Sequence, residues 1–224
     1  MREEQKKIFT AVEGDRWFAR NADSEEYRSL SKDKLVEVME HIELTPKKVL
    51  EVGCSSGHNL HWIQQVFQAE CYGIDPSKDA IQAGQEAYPA LSLQVATAES
   101  LPFDDHSFDT LIFGFCLYLC DRRDLFKIAH EADRCLKNHG TLIIKDFYPP
   151  FAYKNTYAHC DGVYSYKMDY SQMFRWNPEY AEVANVVYSL DGFRNRDIPD
   201  EKVAIVVLRK NTQSAYPQSP FSSD

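Results

Sequence analysis

The middle of the chain alternates between two hydrophobic periods. Short runs rich in Val, Ile, Leu and Phe, near 48–53, 70–75, 91–96, 108–114 and 140–147, have the length and side-chain content of buried strands. Between them, 57–68, 77–87 and 121–137 carry apolar residues at the spacing of amphipathic helices. Strand and helix follow one another with short connections, which predicts a mostly parallel sheet covered on both faces, with ligands at the carboxyl ends of its strands. Residues 2–41 hold two more helical patterns, the second expected to be capped by Ser31 or by Asp23-Ser24 and to end near His41-Ile42. Past 147 the pattern turns aromatic, with a short helix expected around 171–176. Two strand-like runs follow, Val183 to Leu190 and Lys202 to Leu208. The divisions are a helical cap over 1–44, an α/β domain over 45–210 with an aromatic insertion at about 148–180, and a Ser/Pro/Gln-rich tail over 211–224 that is expected to be mobile.

Composition narrows the classes of partner. At 224 residues and 44% apolar content the chain can bury one substantial core. Its net charge of −9 disfavours nucleic acid and anionic membranes as main partners, since both call for a basic face. With no apolar run near ~20 residues and no apolar segment after Met1-Arg2-Glu3-Glu4, a soluble, cytoplasmic protein is expected. Cysteines 54, 71, 116, 120, 135 and 160 are scattered, several in apolar runs, and read as reduced thiols. Cys116 and Cys120 lack a histidine or second pair to complete a zinc site, so no metal is expected.

The chemistry concentrates where the first strand meets its helix. Val49-Leu50-Glu51-Val52-Gly53-Cys54-Ser55-Ser56-Gly57 is a strand running into a glycine turn, and such a turn lets a ligand approach bare backbone at a helix N-terminus. Ser55 stands where a dinucleotide fingerprint needs its second glycine, which weakens a diphosphate reading. Asp75, after Cys71-Tyr72-Gly73-Ile74, can accept hydrogen bonds from two ribose hydroxyls. Glu51 would repel phosphate and suit a cation. A nucleoside with a cationic, phosphate-free extension satisfies all three, and S-adenosylmethionine is such a molecule.

Four ordered blocks carry a family resemblance: the glycine turn; Gly73-Ile74-Asp75-Pro76-Ser77; Ala98-Glu99-Ser100-Leu101-Pro102-Phe103; and Glu131 to Leu142. Over roughly 45–147 the chain resembles the class I S-adenosylmethionine-dependent methyltransferases, particularly the small-molecule branch. The resemblance implies a Rossmann-like, doubly wound α/β sheet of seven strands, mostly parallel with an antiparallel last strand. It implies cofactor contacts from Glu51, Gly53, Cys54, Ser55, Gly57, His58, Asn59, Asp75, Pro76, Ala98, Glu99, Phe115 and Cys116. Two departures stand out: Ser55, where members commonly have glycine, and Lys137-Asn138-His139-Gly140 in place of a proline-glycine turn.

Both flanks offer acceptor groups. Trp17, Arg20 and Asn21 form a lid-like cluster, although Trp17 and Phe18 could equally anchor the amino-terminal helix to the sheet. In the aromatic insertion, Tyr148, Tyr153, Tyr164 and Tyr166 offer flat walls with hydroxyls, suited to a planar or sugar-like acceptor, against the alternative of a structural hairpin. Asp146 and His159 are the candidate general bases, with Asp169 behind them; each could also be structural. The expected reaction is methyl transfer to an oxygen or nitrogen of a small molecule such as a sugar or another biosynthetic intermediate. A non-catalytic cofactor-binding protein and, more distantly, an NAD-dependent oxidoreductase stay open, as does a homodimer.

Overall fold

The structure, a computed structural model, describes residues 5–29, 33–190 and 198–219, and the side chains of 22–29 lie outside that description. Helix α1 (Gln5–Ile8) passes through one π-helical turn, Phe9–Glu13, into α2 (Gly14–Ser29), and α3 (Lys34–His41) follows. The predicted caps of α3 are displaced. Asp23 and Ser24 fall inside the span of α2, Ser31 lies outside the described residues, and Asp33 takes the role, its Oδ1 accepting the Leu35 N–H at 2.8 Å.

The core elements come in the expected order: β1 (Lys48–Val52), α4 (His58–Phe67), β2 (Glu70–Asp75), α5 (Lys78–Ala87), β3 (Ser92–Val95), β4 (Phe108–Gly114), α6 (Leu125–Cys135) and β5 (Leu136–Phe147). A small hairpin of β6 (Tyr153–Thr156) and β7 (Tyr164–Lys167) leads to α7 (Gln172–Arg175), β8 (Tyr180–Ser189) and β9 (Lys202–Lys210). Seven strands form one sheet in the order β3-β2-β1-β4-β5-β9-β8. Strands β1 to β5 are parallel neighbours, while β9 lies between β5 and β8 and runs antiparallel to both.

Period-two alternation divides the apolar residues between the two faces. Leu50, Leu111, Leu142 and Val206 pack with Ile128 of α6 and Phe174 of α7, whereas Val49, Ile112, Ile143 and Ile205 pack with α3, α4 and α5. Because the central strands are buried on both sides, they read in sequence as nearly continuous apolar runs. The start of the tail is tied down: the N–H of Asn211 bonds Glu179 O at 2.7 Å and that of Thr212 bonds Asn138 Oδ1 at 2.9 Å. Residues 220–224 lie outside the described residues.

Strand order reverses between β1 and β4, with connections leaving to opposite sides, and the carboxyl ends of those strands open a crevice.

Candidate cofactor and acceptor site

The glycine turn is shaped by what lies beside it. Gly53 has φ +76°, and a Cβ there would sit 2.5 Å from Cys116 Cβ. Its N–H and that of Cys54 donate to Ile74 O at 2.8 and 3.1 Å, stitching the turn to β2. Gly53→Ala is expected to cost about 2 kcal/mol of stability through strained backbone and the Cys116 clash, read as a lower urea midpoint. Ser55 follows at φ +48°, uncommon for a residue with a side chain, and Phe115 across the crevice has φ +62°. Such conformations concentrate where function demands them.

A cavity of about 590 Å³ opens over these strand ends, within the roughly 300–1,000 Å³ range of small-molecule sites. Of the residues the resemblance implies, Glu51, Gly53, Cys54, Ser55, His58, Asn59, Asp75, Pro76, Ala98, Glu99, Phe115 and Cys116 all line it. Gly57 does not. At φ +84° it begins α4, and a Cβ there would press on Leu91 and Leu93, so it serves the turn from beneath. Asp75 is oriented by the loop: Oδ2 accepts the Ser55 N–H at 3.0 Å and Oδ1 the Ser77 N–H at 2.9 Å. A carboxylate has room for further donors beyond these two.

Glu51 is almost wholly buried, at 1% exposure, and burial pushes its carboxyl up to about 7. Its Oε1 accepts from Asn59 Nδ2 at 2.8 Å. Three buried atoms on cavity-lining residues, Glu51 Oε2, Asn59 Oδ1 and Ser55 Oγ, have no hydrogen-bond partner among the described residues. All three can accept, and buried polar atoms left unpaired in this way call for a donor from outside the chain.

The amino-terminal helices close the crevice from above. Thr10, Gly14, Trp17 and Asn21 face the cavity at helical spacing. Lys6 is held between Glu99 and Asp124, at 3.0 Å to each, and these carboxylates, Asp124 foremost, raise its pKa. Asp15 accepts from Ser77 Oγ at 2.7 Å and from the Asp79 N–H at 3.1 Å, so the strap is fixed on both banks.

Residues 50–144 match the model of a family described as a methyltransferase domain. Over these residues the chain carries a methyltransferase domain, similar to those of class I S-adenosylmethionine-dependent methyltransferases. Among sequence relatives, an uncharacterized methyltransferase, YcgJ, of Bacillus subtilis is 33% identical over 46% of this chain and 42% of its own length. A demethylmenaquinone methyltransferase of Thermotoga maritima is 30% identical over 56% of this chain and 52% of its own. The chain thus spans about half, or less, of the curated relatives it matches. A Burkholderia thailandensis 1,6-didemethyltoxoflavin-N1-methyltransferase, solved with 1,6-didemethyltoxoflavin and S-adenosylhomocysteine, superposes with a TM-score of 0.67 over 92% of this chain and 87% of that one, at 12% identity. At that identity the likeness speaks for the fold alone. None of the described helices is long and apolar enough to cross a membrane.

Helix α2 brings Trp17 and Asn21 to the cavity, but the other expected acceptor residues do not line it. Arg20 turns aside to Glu13 and to Tyr157 Oη at 3.0 Å. Tyr148 accepts from Asn185 at 3.2 Å, Tyr153 donates to Asp200 at 2.6 Å, Tyr164 lies under the Lys154 ammonium, and Tyr166 lies under the Arg122 guanidinium. Tyr153, Tyr164 and Tyr166 belong to the β6–β7 hairpin, while Tyr148 is held against β8. The candidate bases Asp146 and His159 do not line the cavity either. Asp146 is buried away from the cavity, its carboxylate accepting backbone N–H groups of Leu117, Tyr118 and Phe147 at 2.9, 3.3 and 2.8 Å. It shapes the turn after β4. His159 packs edge-on against Tyr157, with ring centroids 5.3 Å apart, outside the lining.

Sequence reasoning missed Asp33, Lys145, Phe147 and Tyr188, which do line the cavity. Phe147 ends an expected strand, so its position at the carboxyl edge was legible. Lys145 lay in an apolar run that gave no sign of the Asp33 carboxylate, 2.6 Å from its Nζ.

Proposed function

We propose that the protein transfers the methyl group of S-adenosylmethionine to an oxygen or nitrogen of a small-molecule acceptor. The observation that carries this reading is the set of unpartnered buried acceptors, Glu51 Oε2, Asn59 Oδ1 and Ser55 Oγ, on residues that line a cavity with Asp75. An ammonium or sulfonium cation is welcome beside that set, and a phosphate is not. Asp75 would hold the ribose hydroxyls, Ala98 and Glu99 would border the adenine, and Glu51 with Asn59 would meet the amino-acid end. When bound, the sulfonium supplies an electrophilic methyl carbon. The chain's own contribution is alignment and exclusion of water, which the strap from Lys6 to Asn21 serves. The methyltransferase domain over 50–144 and the quinone named for the Thermotoga maritima relative support the same reading.

Calorimetric titration of the purified protein with S-adenosylmethionine and, separately, NAD tests it. Micromolar binding of the sulfonium compound alone is expected; preference for NAD would sink the proposal.

Glu51 makes the affinity depend on pH. With its carboxyl near 7, the ionised form that attracts the ligand's ammonium fills in as pH rises from 6 to 8, so S-adenosylhomocysteine should bind more tightly at the alkaline end. Glu51→Gln is expected to flatten that slope and to lose about tenfold in affinity at pH 8, some 1.4 kcal/mol. An unchanged slope in the variant would assign the titration to another group.

A further inference from the structure

The cavity extends well beyond the groups that would anchor the cofactor. Asp75 ends β2 and Ser55 follows β1, whereas Phe115 follows β4, Phe147 ends β5 and Tyr188 lies near the end of β8. From β2 to β8 is five places along the sheet, so at about 4.8 Å per place the two ends are on the order of 24 Å apart. A ligand held by Asp75 and the glycine turn leaves the β4 to β8 half for the acceptor.

That half is walled by rings. The Phe115 ring centroid is 4.9 Å from that of Phe147 and 5.1 Å from that of Tyr118. Tyr188 stands opposite Val203 and Val203 opposite Phe147, so Tyr188 and Phe147 leave the same face of the sheet. Trp17 closes the space from α2. Flat, rigid walls keep contact over a whole ligand only when the ligand is flat, and a pyranose, with hydroxyls around its rim, would leave polar groups unpaired there.

Lys145, near the end of β5, brings an ammonium to the cavity lining, with Asp33 Oδ1 and Oδ2 at 2.7 and 2.6 Å from its Nζ. Burial would raise the Asp33 carboxyl, but Lys145 and the Leu35 N–H hold it below its ordinary value, which makes it a poor proton acceptor. An acceptor that ionises by itself needs no base, and a neighbouring ammonium favours its anion.

We propose that the acceptor is a planar aromatic or heteroaromatic molecule carrying an acidic hydroxyl, lying among Trp17, Phe115, Phe147 and Tyr188 with that oxygen toward Lys145. This rests on the methyl-transfer reading above. The hydroxyl proton leaves to solvent on ionisation. The oxygen then forms its bond to the methyl carbon while the carbon–sulfur bond breaks and its electron pair passes to sulfur, leaving a methyl ether and a neutral thioether.

The test uses the full chain saturated with S-adenosylhomocysteine and three probes titrated by calorimetry: 4-nitrophenol, 4-nitroanisole and methyl α-glucoside. 4-Nitrophenol is expected to bind at least about tenfold more tightly than either of the others. Tyr188→Ala should weaken 4-nitrophenol by about tenfold while S-adenosylhomocysteine affinity stays within about twofold. Lys145→Gln should erase the preference for 4-nitrophenol over 4-nitroanisole. Glucoside binding equal to that of 4-nitrophenol, or indifference to Tyr188→Ala, overturns the inference and leaves methyl transfer standing. Failure of S-adenosylhomocysteine itself to bind overturns both.

Discussion

Asp75→Ala is expected to lower the affinity for S-adenosylhomocysteine by about 100-fold or more. Hydrogen bonds to a charged group contribute roughly 1.5–3 kcal/mol each, and the ribose would lose two of them. The loop would loosen as well, because the same carboxylate accepts the N–H groups of Ser55 at 3.0 Å and Ser77 at 2.9 Å. Calorimetry measures the loss, and thermal denaturation without ligand shows whether the variant is folded. Asp75→Asn should fall between wild type and alanine, since it keeps one carbonyl oxygen but brings an NH₂ against backbone donors. A folded alanine variant that binds within about threefold of wild type would remove Asp75 from the cofactor site and leave the ribose without an assigned partner.

The largest loss of stability is expected at Asp146. Alanine there strands three N–H groups, those of Leu117, Tyr118 and Phe147, in a buried turn. At roughly 1–3 kcal/mol for each unsatisfied donor, with partial rescue by water, the cost is about 3–5 kcal/mol, measured by urea unfolding. Asp146→Asn keeps an acceptor and is expected to lose less. The two variants also differ in pH dependence. Burial pushes the Asp146 carboxyl up to about 7, against the pull of its three N–H partners. In the unfolded chain the same group ionises near its ordinary value of about 3.9. The carboxyl therefore contributes its stability fully below about pH 3.9 and loses it progressively as pH rises to about 7. Asp146→Asn should remove this component, so the difference in stability between wild type and variant should shift by a few kcal/mol between pH 4 and 7 and be flat above. A difference that is flat throughout would mean that Asp146 is ionised in the fold across that range.

These two aspartates show how differently the site was legible in the sequence. Asp75 stands at the end of a strand, a fixed distance after a glycine turn, and its place is set by βαβ geometry that any such chain shares. Local pattern placed it at the strand ends, and Glu51, Asn59, Phe115 and Cys116, expected from the family resemblance, line the same cavity. Asp146 has the same strand-end signature and a similar upward shift, yet its carboxylate turns inward to the 117–118 turn rather than out to the crevice. Side-chain direction at a strand's last residues depends on which neighbour offers N–H groups, and that neighbour is about thirty positions away in the chain.

The insertion shows the same limit. Its tyrosines promised flat walls with hydroxyls, but β6 and β7 pair with each other, and Tyr153, Tyr164 and Tyr166 are taken up by Asp200, Lys154 and Arg122. The aromatic wall is made instead by Phe115, Tyr118, Phe147 and Tyr188. Tyr188 reaches it because β9 inserts between β5 and β8, which carries the end of β8 to the rim of the crevice.

Hydrophobic period and the glycine turn were enough, read along the chain, for the α/β layering, the extent of β1 to β4 and the crevice at their carboxyl ends, because those signals come from neighbours in sequence. The aromatic half of the cavity, the Asp33 to Lys145 pair over the crevice and the inward turn of Asp146 were decided in three dimensions. Each joins residues far apart in the chain, and which of several polar or aromatic groups satisfies another is settled only when burial has removed water as the alternative partner.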